Sequence, residues 1–122
     1  MNHRSYPVLY RLNGQTPVTC TLAEWGAFIS GHRQHHIVAE KIVHDRFIRT
    51  FFHGVDFNFF NCIPELFKTV TYAKDGSTIE CNLCSTWEEA EDLHRATVEI
   101  AESRQHRDYP NYPQSDDLPF DE

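Results

Sequence analysis

A chain of 122 residues, 40% hydrophobic, 13% aromatic and 24% charged, has room for one domain with one core, burying roughly 65–70% of its extended surface. This composition excludes a collagen, a disulfide miniprotein and a wholly disordered chain. A formal charge of −7 argues against a nucleic-acid-binding module, whose footprint is basic.

In chain order, Val8–Leu12 is apolar and β-prone, and Asn13-Gly14 follows it as a two-residue hairpin signal of the type I′ kind. Val18–Cys20 is the returning strand. Thr21-Leu22-Ala23-Glu24 reads as a capping box opening a short helix over Leu22–Ser30, with Leu22, Trp25, Phe28 and Ile29 at helical spacing and Gly31 as its stop. Residues 37–53 read as a β-hairpin around His44-Asp45. In its second arm Ile48, Thr50 and Phe52 share one face, and Phe47, Arg49, Phe51 and His53 the other.

The stretch from Gly54 to Pro64 is irregular and unusually apolar for a loop, with Phe57, Phe59 and Phe60 close together. Such a segment either folds onto the core or offers a contact surface. Leu66–Ala73 and Thr78–Leu83 are two further strands joined by a Lys74-Asp75-Gly76-Ser77 turn. Ser85-Thr86-Trp87-Glu88 reads as a second capping box, ahead of a helix running to about Ser103. Trp87, Ala90, Leu93, Thr97 and Ile100 form its expected inner stripe. From Asp108 the chain carries three of its six prolines together with Asp116, Asp117, Asp121 and Glu122, which predicts a flexible acidic tail.

The expected fold is therefore α+β: an antiparallel sheet of four or more strands packed against one long C-terminal helix and one short helix. Residues 1–107 form a single domain and 108–122 a disordered acidic tail. No run of 18 apolar residues and no apolar leader segment is readable, so the expectation is a cytoplasmic protein away from membranes, with its four cysteines reduced.

Charge is segregated. Residues 1–79 hold eight basic and six acidic side chains, residues 80–122 three basic and twelve acidic. An acidic helix bearing Glu88, Glu89, Glu91 and Asp92, with an acidic tail bearing Asp116 and Asp117, suits a basic partner, such as a nucleic-acid-binding protein. Phe57, Phe59, Phe60, Tyr109 and Tyr112 are the aromatic candidates for partner contact. Solvation of a helix face and simple solubility are the plainer reading of the same charges.

Other chemistry has weaker footing. Cys81-Asn82-Leu83-Cys84 has C-x-x-C spacing, but the second half of a zinc site is missing from the sequence. His53 and Asp56 fall near one strand end, yet no nucleophile elbow, catalytic-cysteine signature or P-loop accompanies them. The expectation is no enzyme, no catalytic residue and no cofactor, with a zinc-binding module or small hydrolase kept as an alternative.

Three blocks carry a resemblance. Arg49-Thr50-Phe51-Phe52-His53-Gly54-Val55-Asp56 ends a strand in a Gly-apolar-Asp turn, Pro64-Glu65-Leu66-Phe67-Lys68-Thr69-Val70-Thr71-Tyr72 is a Pro-initiated strand, and Ser85-Thr86-Trp87-Glu88-Glu89-Ala90-Glu91-Asp92-Leu93-His94 starts a helix. In this order they resemble a family of small uncharacterised bacteriophage and prophage proteins, over about residues 36–98. Phe57 stands where that pattern has a polar or histidine residue, and Lys68 where it has an acidic one. The resemblance implies a phage or prophage product in a bacterial cytoplasm or a virion. The functional expectation is a non-enzymatic accessory protein that binds and inhibits a host protein, of anti-CRISPR or other anti-defence type, by acidic nucleic-acid mimicry. The partner would be a basic defence protein, without direct nucleic acid or membrane contact. A virion or assembly protein is the alternative, and a homodimer is left open.

Overall fold

The structure is a computed structural model that describes residues 7–31, 36–56 and 63–108, with side chains as far as Arg104. Its elements in chain order are β1 (Val8–Asn13), β2 (Thr16–Cys20), α1 (Leu22–Ile29), β3 (Ile37–Val43), β4 (Arg46–Phe52), β5 (Val55–Asp56), β6 (Phe67–Tyr72), β7 (Thr78–Cys84) and α2 (Trp87–Asp108). The α+β architecture follows the sequence reading, with one difference: the strands form two sheets. A four-stranded antiparallel sheet runs in the order β3-β4-β6-β7, and a three-stranded sheet in the order β2-β1-β5. β5 lies in the stretch expected to be irregular. It is two residues long, too short for alternation to be readable, and pairs with Val8 and Leu9.

Local chemistry explains the turns and caps. The β1–β2 loop is Gly14-Gln15, closed by the Asn13–Thr16 pair, and among its residues only Gly14 has positive φ. That suits a turn with glycine first rather than the expected Asn-Gly form. The capping box at Thr21 and Glu24 is complete: the Thr21 hydroxyl accepts from the Glu24 N–H at 3.1 Å and the Glu24 carboxylate accepts from the Thr21 N–H at 2.9 Å. α1 ends at a Ser30 cap, and Gly31 does not adopt positive φ. The cap of α2 sits one residue later than expected. Thr86 accepts from the Glu89 N–H at 3.1 Å, while the Glu89 carboxylate accepts from the N–H groups of Ser85 and Thr86. Thr-x-x-Glu satisfies the same rule as Ser-x-x-Glu, and Glu89, not Glu88, reaches back.

The core lies between α2 and one face of the four-stranded sheet. Ile48, Thr50 and Phe52 of β4 and Phe67, Thr69 and Thr71 of β6 are buried there. Phe52 and Phe67 meet edge to face at 5.2 Å, and Trp87 closes on Phe67 at 6.2 Å. The first hairpin and α1 cap one end of this layer: Leu12 joins the buried cluster and Phe28 meets Phe52 at 5.9 Å. Trp25 donates its indole N–H to the His53 carbonyl at 3.0 Å.

Gly54 makes this joint. Its φ is +72°, its carbonyl accepts from the Tyr10 N–H at 2.8 Å, and a Cβ there would strike the Tyr10 carbonyl and the Phe52 ring. A left-handed residue pressed against backbone admits glycine alone. The inner stripe of α2 is shifted at its far end. Ala90 is fully buried, but Ile100 is 55% exposed. α2 packs on β3, β4 and β6, and Ile100 opens instead onto a shallow depression with Arg46, Thr71, Glu80 and Arg104.

Candidate functional site

Two surfaces stand out. The first is a groove of about 530 Å³ between α2 and the edge strand β3. Glu91, His94, Arg95, Val98, Glu99 and Glu102 line one wall, at the three- and four-residue spacings that place side chains on one helical stripe. Val38, Ala39 and Lys41 line the other. A register shift between Ile37 and Ala39 marks a β-bulge, which turns the consecutive Val38 and Ala39 toward the groove.

Beneath it runs a buried polar chain: the Thr69 and Thr50 hydroxyls lie 2.7 Å apart, and the Thr50 hydroxyl lies 2.8 Å from His94 Nδ1. Burial, reinforced by the Lys41 charge, lowers the His94 pKa and keeps the ring neutral. The sequence pattern gives His94 no role in this groove; the missing information is that Thr50 and Thr69 pair directly across β4 and β6.

The acidic candidates on α2 are placed as follows. Glu89 is consumed by the cap. Glu91 accepts from the Trp87 indole N–H at 3.2 Å while lining the groove. Asp92 pairs with Arg95 at 2.9 Å on the exposed helix surface, which raises the Arg95 pKa. Glu88 is exposed beside them. Glu99 and Glu102, which the sequence reading did not single out as partner contacts, join Glu91 on the groove rim. Phe57, Phe59, Phe60, Tyr109, Tyr112, Asp116 and Asp117 lie outside the described residues.

The second surface is the face of the four-stranded sheet opposite α2. Strand alternation and register place three rows on it. Ile42, Phe47 and Tyr72 form the first, with Ile79 beside them at the bulge; Glu40, Arg49, Val70 and Cys81 form the second; Ile37, Phe51, Lys68 and Leu83 form the third. Phe47 and Tyr72 stack at 6.0 Å, and the Arg49 guanidinium lies 5.0 Å from the centre of the Phe47 ring. Arg49 also donates to Glu40 at 2.7 Å, so the central charges are paired. Ile42, Ile79 and Leu83 are 71%, 44% and 45% exposed, half of the large exposed apolar side chains among the described residues.

The remaining chemical candidates resolve by geometry. Cys81 and Cys84 are three apart on one strand, so they project from opposite faces of β7, and the pair does not hold one ion. Cys81 is exposed, whereas Cys84 packs against the core, where burial and the charges of Glu89 and Glu65 push its thiol up to about 11. His53 is committed to backbone: Nδ1 accepts from the Val55 N–H at 3.2 Å and Nε2–H donates to the Glu65 carbonyl at 2.9 Å. Burial, then the Lys68 charge, bring its pKa down to about 4, against the opposing pull of the Glu65 carbonyl. No group of three or more metal-ligating side chains is found among the described residues. No helix among them is long and apolar enough to cross a membrane. Compared with known protein families, with curated proteins and with solved structures, the chain matches none.

Proposed function

We propose that this chain is a non-enzymatic binding protein whose groove between α2 and β3 takes an extended, basic segment of a partner protein. The observation that carries this is the groove itself, with apolar Val38 and Ala39 of the edge strand facing Val98 of α2 and Glu91, Glu99 and Glu102 along the helix wall. An edge strand offers backbone hydrogen bonds to an added strand, and alternate side chains of that strand then read the rim. Of the two rim cations, Arg95 is already engaged by Asp92, which leaves the carboxylates the stronger field.

The resemblance to phage and prophage proteins supports a setting in an infected bacterium. There the partner would be a basic host defence protein and binding would inhibit it. A second reading, a virion or assembly protein, draws support from the uncovered sheet face, because contiguous exposed apolar surface marks association.

The test is a tagged pull-down from bacterial lysate at low salt, followed by titration of the captured protein against wild type and Glu99→Gln/Glu102→Gln. The expected result is one enriched basic protein whose affinity falls with added salt and again in the variant. Affinity indifferent to both salt and the substitutions would contradict groove binding.

A further inference from the structure

We propose that the uncovered face of the four-stranded sheet is occupied by the same face of a second copy, giving a symmetric dimer that leaves both α2–β3 grooves on the outside. Three observations carry it, and none depends on the groove reading.

The first is that the face has the chemistry of a buried layer. Phe47, Phe51 and Tyr72 are only half-buried and Ile42, Ile79 and Leu83 are exposed, while Val70 at the centre is already 5% exposed within one copy. Facing sheets pack about 10 Å apart through interdigitating apolar side chains. The charges in the middle of this face are neutralised before any partner arrives, since Arg49 is held by Glu40 and lies over Phe47. With Glu40 and Arg49 paired, Lys68 is the one remaining charge in these rows, so a face that is otherwise apolar matches itself better than it matches a highly charged partner.

The second is size. Four strands at about 4.8 Å spacing and seven residues at about 3.4 Å rise present roughly 19 Å by 24 Å. Two such faces exceed 800 Å² in flat projection, and side-chain relief brings the total past the roughly 1,000 Å² that marks a specific interface.

The third is self-complementarity in register. A two-fold axis parallel to the strands, between β4 and β6, keeps each row opposite itself while exchanging β3 with β7 and β4 with β6. Ile42 then lies over the partner's Ile79, and Ile37 over the partner's Leu83, so the exposed apolar side chains at the sheet margins cover one another. Phe47 meets the partner's Tyr72. Phe51 meets the partner's Lys68, whose stem packs while its ammonium lies at the ring face. Arg49 lies over the partner's Val70 without meeting a like charge.

The experiment is sedimentation of the full chain over a wide range of concentration, for wild type, Ile42→Glu, Leu83→Glu and, as a control on the other side of the sheet, Ile100→Glu. All three substituted side chains are exposed in the single copy, so circular dichroism should stay unchanged. The expected result is a reversible dimer, weakened about tenfold or more in Kd by Ile42→Glu and Leu83→Glu but not by Ile100→Glu. A dimer that survives both face substitutions, or that Ile100→Glu breaks equally, would overturn the proposal by placing the interface elsewhere. A wild-type monomer at every concentration would overturn it too. If Cys81 in that monomer resisted thiol reagents, the face would belong to residues of the same chain.

Discussion

The two faces of the four-stranded sheet invert the usual pattern. The face under α2 is buried along its two central strands yet carries Thr50, Thr69 and Thr71 there. The face away from α2 carries Phe47, Phe51, Tyr72, Ile42, Ile79 and Leu83 and is left partly open. Thr50 and Thr69 are tolerated because they are bonded, Thr69 to Thr50 and Thr50 to His94 on the helix. Burying a hydroxyl costs little once it has a partner. The open aromatics have no such cover among the described residues, where α2 lies on one face only, and a sheet with two apolar faces needs two. The contrast separates two roles: the covered face holds the monomer together, and the open face is built for association.

The comparison is tested most strongly by removing one phenylalanine from each side. Phe52→Ala empties the centre of the core and should cost about 3–5 kcal/mol of unfolding free energy in a denaturant titration. Phe47→Ala, on the open face of the same strand, should cost only about 1 kcal/mol in the monomer. Equal losses at high dilution would mean that the open face is already packed within one copy. Next in size is Thr50→Val, which keeps shape but strands His94 Nδ1 and the Thr69 hydroxyl. We expect a loss of about 1–3 kcal/mol, while Thr50→Ser retains most of the stability. A Thr50→Val protein as stable as wild type would show that the polar chain does not hold α2 to the sheet.

Much of this contrast was legible in the sequence, and its limits were physical. Alternation along β4 correctly divided Ile48, Thr50 and Phe52 from Phe47, Arg49 and Phe51, because side-chain direction in a strand has period two. It could not say which set α2 would cover, since both contain phenylalanines. Helical spacing located α2 and its acidic surface, but not that the stripe through Glu91, His94, Val98 and Glu102 would stand beside an edge strand. That depends on strand order, which no local pattern encodes. Ile100 was assigned inward by the same spacing and does face the sheet, but it stays 55% exposed because it opens onto the depression lined by Arg46, Thr71 and Glu80 instead of packing on apolar side chains. The C-x-x-C spacing suggested a metal only if the segment were not a strand; once Thr78–Cys84 pairs with β6, the two thiols diverge.

A further predicted effect concerns pH. His53 continues the odd-numbered side of β4, and its folded-state pKa of about 4 lies below the ordinary 6.5. The folded protein therefore resists protonation while the unfolded chain accepts it. Stability from this group is complete above pH 6.5, declines as pH falls from about 6.5 to about 4, and is level below that. After solvent screening of a half-buried ring the loss should be on the order of 1–2 kcal/mol. His94, lowered in the same direction, adds to the slope. His53→Gln should flatten the decline in thermal melts between those two pH values. An unchanged slope would mean that burial of this ring beside Lys68 does not set the pH dependence of stability in this range.

The claim that the open face is an interface has a native reporter, because Cys81 sits on it and Cys84 sits on the covered side of the same strand. The most direct measurement is the alkylation rate of each thiol, resolved by mass spectrometry, as the concentration of the full chain is raised. Cys84 should stay slow throughout, while Cys81 reacts readily when dilute and becomes protected as the protein is concentrated. Rapid alkylation of Cys81, independent of concentration, would contradict it.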